Sequence, residues 1–584
     1  MPELTIQQAF DLALRYHQAG NLAEAEAIYR EILVRQPNSA DALHLMGLIA
    51  AKKGNREFGI ELIKRAISIN PKEAGYYVNL GIALQALGRS NDAVAAYYKA
   101  IKLQPSCVEA FNNLGAAMLC QDRFDEAAVV YREALRINPD HPDAYEGLGI
   151  ALKHQGHIEE SLNAFRKCLQ INPDLAQVHS SLVHSLNFYP DFDARAIYQQ
   201  ERQWNQIHAA PFAKFIRPHI NDHDPERRLR IGYVSPDFYA QTGSLIVTPL
   251  FESHDHQHFA VYCYASVKRP DQHTDRLRRS ADIWRDVLKL SDEELARQIY
   301  SDQIDILIDL SMHMANNRLL VFARKPAPVQ VTWLAYPGST GLDAIDYRLS
   351  DPYLDPPETD LSIYSEQTVR LPNCFWCYNP FSDSLPRPAQ QNGPMCFGSL
   401  NHPCKLNDGI LSLWSKVLTA TTDSRILMLT ISKEHQDHIR GVFARSGVDP
   451  KRLMFVGRSP RADYLQLYNR VDIVLDTFPY NGHTTTLDSL WMGVPVVTLS
   501  GEIAVSRGAN SILKNAGLPE LIARTADEYV DIAVKLANDL PRLTELRGTL
   551  RRRLESSPLM DSKRFARNVE DAYRQMWRKW CGSR

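Results

Sequence analysis

Small, bulky and proline positions along the first third of the chain repeat with a spacing of 34 residues. The prolines with this spacing are Pro37, Pro71, Pro105, Pro139 and Pro173. Small residues share it at Ala25, Gly59, Ala93, Ala127 and Ser161, and again at Gly47, Gly81, Gly115 and Gly149. Bulky residues share it at Tyr29, Ile63, Tyr97, Tyr131 and Phe165. Because small residues let two helices pack closely and a proline ends the second one, the pattern predicts stacked helix pairs.

These pairs predict an all-α solenoid over residues 1–188, with five repeats between about residues 6 and 175. A less regular apolar helix at 177–187 is expected to cap the stack. Residues 189–226 are predicted to be a helical linker with one helix at 194–209. Three histidines of this region lack the close spacing of metal ligands and are interpreted as linker residues: His208, His219 and His223.

The pattern then changes to short apolar runs separated by helical segments, which is typical of a parallel α/β sheet. The first half, residues 227–390, has predicted strands within 227–237, 259–264, 304–310 and 329–334. The second half, residues 391–584, has them at 395–401, 424–430, 453–457, 471–478 and 494–499. In such sheets the loops after the strands carry ligands. In the first half these loops contain Asp237, His313 and the turn Gly338–Gly341.

In the second half, the segment Asn481–Asp488 joins two buried strands and reads as a Gly- and Thr-rich turn that opens a helix. Backbone N–H groups and hydroxyls at a helix N-terminus bind a diphosphate well. Asp488 lies one helical turn after Thr484 and Thr485, where its carboxylate can accept two ribose hydroxyls. The alternative is an ordinary helix start capped by threonine. A final helix, predicted at 561–580, is expected to cross back onto the first half.

Composition narrows the class of protein. A chain of 584 residues is too long for one core, and a net charge of −2 with a pI of 6.8 does not favour nucleic acid or an anionic membrane as partner. No apolar run approaches the roughly 20 residues of a membrane helix, and no signal-peptide pattern opens the chain, so we expect a cytoplasmic protein. Nine cysteines do not suggest a disulfide framework, and Cys374 and Cys377 are predicted to be core residues.

The 34-residue pattern resembles the tetratricopeptide repeat, and this resemblance implies that the solenoid binds an extended peptide or another protein. Asn79 and Asn113 occupy the same position in adjacent repeats, two residues before the repeat glycine. A side-chain amide can both donate to and accept from a peptide backbone. These two residues are therefore candidate contacts to an acceptor peptide, and the alternative is a solvated helix face.

Two Rossmann-like halves with a diphosphate site on the second resemble a nucleotide-sugar glycosyltransferase of the two-domain GT-B type. Joined to the repeats, they resemble the O-GlcNAc transferase family (family GT41), and most of all its bacterial homologues and the plant SPINDLY proteins. The segments that carry the resemblance are 231–238, 324–334, 336–341, Asn401 with Lys405, 476–488 and 491–495. It implies an α/β glycosyltransferase that follows an all-α solenoid.

The resemblance also implies roles for residues of the second half. Asp488 is similar to the ribose-binding carboxylate of the family, and Lys405 is similar to the lysine that neutralises the departing nucleoside diphosphate. The diphosphate ligands are implied at His483, Thr484 and Thr485. The remaining nucleotide-sugar contacts are implied at Asn401, Arg461 and Tyr464, of which the last two would meet the base. No metal and no cofactor are expected, because a lysine and a helix N-terminus take the charge of the leaving group.

Three departures from the family pattern fall in the first half. Gln241 stands where the family has histidine, and an amide cannot act as a general base. His313 lies between Met312 and Met314, where relatives carry small and hydroxyl residues. Ala335 replaces the usual glycine. The acceptor proton could go to His313, to Asp237, or to a phosphate oxygen through water.

The leading hypothesis is an inverting protein O-glycosyltransferase that moves GlcNAc from UDP-GlcNAc to Ser or Thr of proteins bound by the repeats. One alternative keeps the fold and changes the chemistry, with GDP-fucose as donor, or UDP-glucose with Asn as acceptor. Another is a catalytically weakened scaffold, which Gln241, Met312 and Met314 favour. The sequence indicates neither the protein acceptors nor an oligomeric state.

Overall fold

A computed structural model describes residues 4–190, 193–382, 384 and 393–582. Its N-terminal part is a series of helix pairs: α1 Ile6–Gln18 and α2 Leu22–Arg35, α3 Ala40–Lys52 and α4 Arg56–Ile69, α5 Ala74–Ala86 and α6 Ser90–Leu103, α7 Val108–Leu119 and α8 Phe124–Ile137, α9 Pro142–His154 and α10 Ile158–Ile171. Each pair starts 34 residues after the one before it, and each second helix ends two residues before a repeat proline. The predicted helix pairs are therefore confirmed.

Small residues bring the two helices of a repeat together. A Cβ atom on Gly47 would lie 2.8 Å from the carbonyl oxygen of Gly59, and one on Gly59 would lie 2.6 Å from that of Gly47. In the next repeat, a Cβ on Gly81 would lie 2.7 Å from Cζ of Tyr97, whose side chain is fully buried. Because these separations are shorter than van der Waals contact, only glycine permits the packing.

The chain divides into two compact units, Met1–Gln155 with Arg166–Ile171, and Gly156–Phe165 with Asn172–Arg584. The second unit includes α11, Ala176–Leu186, and α12, Ala194–Trp204, and the end of the solenoid at residue 188 stays a prediction. The contacts of α11 explain its place in this unit. Trp204 Nε1 donates to the carbonyl of Ala176 at 3.0 Å, and α11 also contacts the loops of the first sheet.

The first sheet has seven strands in the order β3-β2-β1-β4-β5-β6-β7, and all neighbouring pairs are parallel. Its elements in chain order are β1 Leu229–Ser235, α13 Ser244–Phe251, β2 Phe259–Ala265, α14 Gln272–Arg279, β3 Ile283–Asp286, α15 Asp292–Ser301, β4 Ile306–Asp309, α16 Leu319–Phe322, β5 Val329–Thr332, β6 Tyr347–Ser350 and β7 Gln367–Arg370. The central strands are buried on both faces, which fits their continuous apolar sequence.

The second sheet has six strands in the order β10-β9-β8-β11-β12-β13, again all parallel. Its elements are β8 Cys396–Ser399, α17 Asp408–Ala420, β9 Arg425–Leu429, α18 Lys433–Arg445, β10 Leu453–Val456, α19 Arg461–Leu467, β11 Ile473–Leu475, α20 Thr484–Trp491, β12 Val496–Leu499, α21 Gly508–Asn515, β13 Ile522–Ala523, α22 Ala526–Asn538, α23 Leu540–Glu555 and α24 Ser562–Gly582. The predicted pair of doubly wound halves is confirmed, and the boundary predicted at residues 390 and 391 lies outside the described residues.

Four strands were not predicted from the sequence: β3, β6, β7 and β13. Two of them, β3 and β7, are edge strands with half-exposed side chains, so they lack an apolar run. The strand β6 is fully buried but contains Arg348, which pairs with Asp355 at 2.8 Å. Because a buried arginine interrupts its apolar sequence, β6 could not be recognised from hydrophobic positions alone.

The final helix α24 crosses back to the first half, as predicted. Arg574 Nη1 donates to the carbonyl of Pro225 at 2.7 Å, and Trp577 Nε1 donates to the carbonyl of Asp224 at 3.1 Å. His254, which follows α13, bonds to the buried carboxylate of Glu570 at 2.8 Å. Within the described part of the chain, no helix has both the length and the apolar character needed to span a membrane.

Candidate active site

In each sheet the strand order reverses once, between β1 and β4 and between β8 and β11. Loops that leave the carboxyl ends of the two strands at such a reversal form the usual ligand crevice of doubly wound sheets. In the second sheet these loops bring Lys405, which follows β8, to the turn that follows β11. The lysine Nζ donates to the carbonyl of Asn481 at 2.7 Å. The predicted turn and lysine therefore belong to one site.

A buried carboxylate that the sequence analysis did not single out organises this turn. Asp476 lies directly after β11 and is 1% exposed. Its Oδ1 accepts hydrogen bonds from the backbone N–H groups of Gly482 at 2.7 Å and Thr477 at 2.9 Å. Its Oδ2 accepts from Thr498 Oγ1 at 2.7 Å. The signal was an aspartate at a strand end just before a glycine turn, and burial raises its pKa to about 6.

Lys405 is a half-buried cation in this site. Its ammonium group lies 4.0 Å from the centroid of the Tyr480 ring. Burial lowers the pKa of Lys405 to about 8, and the charge of Asp476 partly offsets that effect. The lysine therefore remains mostly protonated at neutral pH, close to the N-terminus of α20.

His483 occupies the N-cap position of α20 and packs between Trp376 at 5.2 Å and Tyr480 at 5.1 Å, measured between ring centroids. On another side it contacts Gly508, where a Cβ atom would overlap the imidazole ring. Burial and the nearby charge of Lys405 lower the pKa of His483 well below its usual value. The imidazole is therefore neutral at physiological pH and adds no positive charge to the site.

The first turn of α20 presents the two predicted threonines. Thr484 is the first residue of the helix and is half-buried. Thr485 Oγ1 donates to Oδ1 of Asn401 at 2.9 Å, and Asn401 is 2% exposed. Asn401 therefore holds the turn in place through Thr485. The backbone N–H groups of a first helical turn have no acceptor within their own helix, which leaves them available to an anion.

Asp488 and Arg461, which the resemblance assigned to ribose and base, form a bidentate ion pair with each other. Both guanidinium N–O distances are 2.5 Å. The Tyr378 hydroxyl also donates to Asp488 Oδ1 at 2.6 Å, and Asp488 is 1% exposed. Both carboxylate oxygens therefore already have protein partners in this structure. The separate roles predicted for these two residues stay predictions.

Tyr464, predicted to stack on a base, bonds through its hydroxyl to that of Tyr468 at 3.0 Å. Tyr468 in turn donates to the backbone carbonyl of Thr485 at 3.0 Å. The ring of Tyr464 is half-buried and lies 5.8 Å from the guanidinium carbon of Arg461. The structure thus brings Tyr464 to the same cluster, and its stacking role stays a prediction.

The segment between the two halves supplies two site residues that sequence reasoning missed. Cys374 and Cys377 are buried, so their predicted core position is confirmed. The aromatic residues beside them, Trp376 and Tyr378, contact His483 and Asp488. Such contacts had no local signal, because they join residues more than 100 positions apart. Among the described residues no group of three His, Cys, Asp or Glu side chains is arranged to hold a metal ion.

In the first half, Asp237 follows β1 and is half-buried. Burial raises the pKa of its carboxyl group to about 6. Gln241 does not project from this loop as a free amide. Its Nε2 donates to the carbonyl of Asp237 at 3.3 Å, and its Oε1 accepts from the N–H of Gly243 at 3.1 Å. Gln241 therefore braces the loop that carries Asp237.

His313 is held differently from what a general base requires. It is 1% exposed, with Nε2 2.8 Å from the carbonyl of Thr340 and Nδ1 3.1 Å from the hydroxyl of Ser180. Because a carbonyl only accepts, Nε2 carries the proton and Nδ1 accepts from Ser180. Burial lowers the pKa of His313 to about 4. Both nitrogens have protein partners in this structure, which favours a structural role, and the base role predicted for His313 stays a prediction.

The two asparagines predicted to bind peptide belong to the first compact unit. Both are half-buried on their helices, α5 and α7. Asn79 Nδ2 lies 2.9 Å from Nε2 of His44 in the preceding repeat. That contact fixes the orientation of the amide, and peptide binding by Asn79 and Asn113 stays a prediction.

The two doubly wound sheets define a two-domain α/β protein of GT-B architecture, which follows a helical-repeat solenoid along the chain. A lysine and a helix N-terminus lie at the strand reversal of the second sheet. The chain belongs to glycosyl transferase family 41, whose model matches residues 199–380 and 389–569. Tetratricopeptide-repeat models match residues 10–74, 78–142 and 118–183.

Relatives support this membership. The chain is 38% identical over 409 residues to a probable UDP-N-acetylglucosamine–peptide N-acetylglucosaminyltransferase SPINDLY of Petunia hybrida, across 68% of this chain and 44% of the relative. The Arabidopsis thaliana protein of the same name is 40% identical over 370 residues. The chain thus spans less than half the length of these relatives. A solved structure of a mutant Thermobaculum terrenum O-GlcNAc transferase is 34% identical, with a TM-score of 0.72, and covers 99% of this chain and 98% of its own.

Proposed function

We propose that this protein transfers GlcNAc from UDP-GlcNAc to serine or threonine hydroxyls of other proteins, with inversion at the anomeric carbon and without a metal ion. The observation that carries the proposal is the position of Lys405 beside the N-terminus of α20. Membership of family 41 and the names of the relatives support the donor and the acceptor class.

Sugar transfer from a diphosphate places negative charge on the leaving oxygen. A preorganised cation and aligned backbone N–H groups stabilise such charge more in the transition state than in the ground state. Lys405 and the first turn of α20 would supply both. Asp476 keeps the lysine charged, because its negative charge opposes the effect of burial on the lysine pKa. The neutral His483 would shape the site and donate at most one hydrogen bond.

Inversion in one displacement requires a base for the acceptor hydroxyl. We propose Asp237, because its pKa of about 6 lies close to the operating pH, where a base acts best. His313 is a weaker candidate, since both of its ring nitrogens have protein partners. A phosphate oxygen of the donor, acting through water, is the third possibility, and it predicts that an Asp237→Asn variant keeps its activity.

The acceptor proteins would be held by the tetratricopeptide repeats, since stacked repeats present extended surfaces to polypeptides. Asn79 and Asn113 remain the proposed backbone contacts. The cytoplasm remains the proposed place of action.

The test is a transfer assay with purified protein, a panel of UDP- and GDP-sugars, and a protein mixture as acceptor. We expect UDP release from UDP-GlcNAc and a mass increase of one N-acetylhexosamine on Ser or Thr. Lys405→Ala should lose activity by about a hundredfold or more, as removal of an oxyanion-type contact does. The matched control is Lys416→Ala on α17, which removes an exposed lysine. Equal rates in both variants, or release of GDP alone, would contradict the proposal.

A binding scaffold is the second candidate function. The observation that favours it is Gln241, whose amide is bonded into its own loop and cannot accept a proton. Absence of nucleotide release with every sugar in the panel, together with retained binding of acceptor proteins, would establish the scaffold.

A further inference from the structure

The side chain of Glu201, on α12, carries a carboxyl group without a protein partner. Glu201 is 3% exposed. Among the described residues none forms a hydrogen bond or ion pair with its side chain. A buried polar group that lacks a partner costs free energy, so natural proteins hold few of them. A leucine would fill the same space without that cost.

The backbone around Glu201 is fixed on both sides of the residue. A Cβ atom on Gly341, whose φ is +74°, would lie 2.6 Å from Cβ of Glu201, so only glycine allows the turn to press against α12. Arg202 Nη1 donates to the carbonyl of Gly341 at 2.7 Å. It also pairs with Asp343 at 2.6 Å, as does Asn205 at 2.8 Å. The Glu201 carboxyl group is therefore held at a fixed place.

The charged residues near Glu201 carry an excess of acids. Glu366 accepts from Ser339 Oγ at 2.7 Å, and Arg348 is paired with Asp355 at 2.8 Å. The charges of Asp355 and Glu366 both act on Arg348, and the charge of Glu366 also acts on Arg202. Burial first, and then the charge of Glu366, raise the pKa of Glu201 well above its usual value, while Arg348 opposes the rise. A cation that bound beside Glu201 would oppose that rise and favour the ionised carboxylate.

The carboxyl group lies on the wall of a narrow, partly open cleft. Apolar side chains form most of the wall, and its members include Asn187, Ile197, Glu201, Ser339, Tyr364 and Val505. Two hydrogen bonds of Asn481 connect a residue of the cleft wall, Val505, to Lys405 of the candidate active site. Asn481 donates its N–H to the carbonyl of Val505 at 3.2 Å and accepts from Lys405 at 2.7 Å. A group bound here would lie beside the proposed transfer site.

We propose that this cleft binds the cationic side chain of a lysine or arginine in the acceptor polypeptide, with Glu201 as its counter-ion. The identity of the ligand as an acceptor polypeptide rests on the proposed function. The preference for a cationic side chain rests on the cleft itself. Apolar walls suit the methylene stem of such a side chain, and its charged end would favour ionisation of the Glu201 carboxyl group and then pair with it. Acceptor sites would then carry a basic residue close to the modified hydroxyl.

The first experiment uses small probes and needs no nucleotide. Thermal melting of the full chain is followed with n-butylammonium chloride, 1-butanol and sodium chloride at equal concentrations. We expect only butylammonium to raise the Tm, because binding to the folded state stabilises it. Glu201→Gln should bind it at least about tenfold more weakly, since a charge-assisted contact is lost. Equal protection by 1-butanol or sodium chloride, or none by butylammonium, would overturn the proposal.

The matched control is Glu502→Gln, which removes an exposed carboxylate from the loop that lines the same cleft. It should bind butylammonium like the wild type. A control that loses binding to the same extent as Glu201→Gln would refute the assignment to Glu201. If Glu201→Gln does not fold, the wild-type comparison of butylammonium with 1-butanol still decides whether the cleft selects a cation.

The second experiment separates a polypeptide ligand from a free amine. A pool of protein-derived peptides is offered to the wild type and to Glu201→Gln, and retained and glycosylated peptides are sequenced. The wild type should enrich peptides with lysine or arginine, and lysine acetylation should abolish the enrichment. Equal enrichment by both proteins would refute the proposal. Butylammonium binding without sugar transfer would count against the proposed function only. Sugar transfer without a preference for basic peptides would count against this inference only.

Discussion

Replacement of Asp476 by asparagine should make the protein more stable and less active. The carboxylate is 1% exposed and accepts three hydrogen bonds, from Gly482, Thr477 and Thr498. Asparagine has the same shape. Its oxygen can keep the two backbone N–H donors on one side, and its amide nitrogen can donate to the Thr498 hydroxyl, which is free to rotate. The substitution therefore removes the charge and retains the hydrogen bonds.

The magnitude follows from the pKa of Asp476, which burial raises from 3.8 to about 6. Between these two values the folded state binds more protons than the unfolded state, so stability falls as the pH rises through this window. Above pH 6 the ionised carboxylate costs about 3 kcal/mol, since each pKa unit corresponds to about 1.4 kcal/mol. Asparagine does not ionise, so the variant should gain up to about 3 kcal/mol relative to wild type at pH 8, and little at pH 4.

The assay must report on the second sheet, because a chain with two compact units does not unfold in one step. Hydrogen exchange of backbone amides in β11 and β12, measured at pH values near 5 and 8 and corrected for the intrinsic rate, meets that need. The control is Asp423→Asn, at an exposed site, which should change protection at neither pH. If Asp476→Asn loses protection equally at both pH values, the ionised carboxylate stabilises the fold and the reasoning is wrong.

Activity should change in the opposite direction. The charge of Asp476 raises the pKa of Lys405, so its removal lets burial lower that pKa below about 8. A smaller fraction of the lysine is then protonated at neutral pH, and the leaving diphosphate receives less stabilisation. The basic limb of the kcat/KM profile should therefore move to lower pH in Asp476→Asn. An unchanged basic limb would show that the two groups are not coupled.

Gly81→Ala should destabilise the solenoid by about 1–3 kcal/mol, because the added Cβ would lie 2.7 Å from Cζ of Tyr97. Gly548→Ala, at an exposed helix position with nothing within 4 Å, should instead stabilise by about 0.5–1 kcal/mol, and thermal melting distinguishes the two signs. His179 lies 3.0 Å from His208, and burial lowers its pKa to about 3. Stability should therefore fall as the pH drops from about 6.5 towards 3, and His179→Gln should flatten the melting profile over that range. An identical acid profile in the variant would contradict this.

Regular elements of the fold could be predicted because their signals are local. The period of 34 residues placed the helix pairs, with starts at Ile6, Ala40, Ala74, Val108 and Pro142. Apolar runs placed the central strands, since a strand buried on both faces has a continuous apolar sequence. The edge strands β3 and β7 were not predicted, because their exposed side chains leave no apolar run. The strand with Arg348 was not predicted, because a buried ion pair interrupts the run. Elements whose burial depends on a distant partner carry no such local signal.

The same distinction governs the candidate site. Lys405 and the Asn481–Asp488 turn were found because each sits in a recognisable local pattern after a strand. The partners of Asp488 were not, because Arg461 is 27 residues away and Tyr378 is 110 residues away. These partners determine which charges the site carries. A motif therefore identifies where an anion would bind, while the distant contacts decide which of its residues remain available to a ligand.

His313 and Glu201 show why the identity of a side chain does not by itself reveal its chemical role. A histidine after a strand end suggests a base, yet His313 has Ser180 and Thr340 on its two nitrogens and is neutral. A glutamate within an amphipathic linker helix suggests a solvated face, yet Glu201 is buried without a partner. The chemically available group is thus the one that the fold leaves unsatisfied, and a folded structure is needed to see it. The search for acceptor specificity therefore begins at the cleft beside Glu201, and the search for the base begins at Asp237.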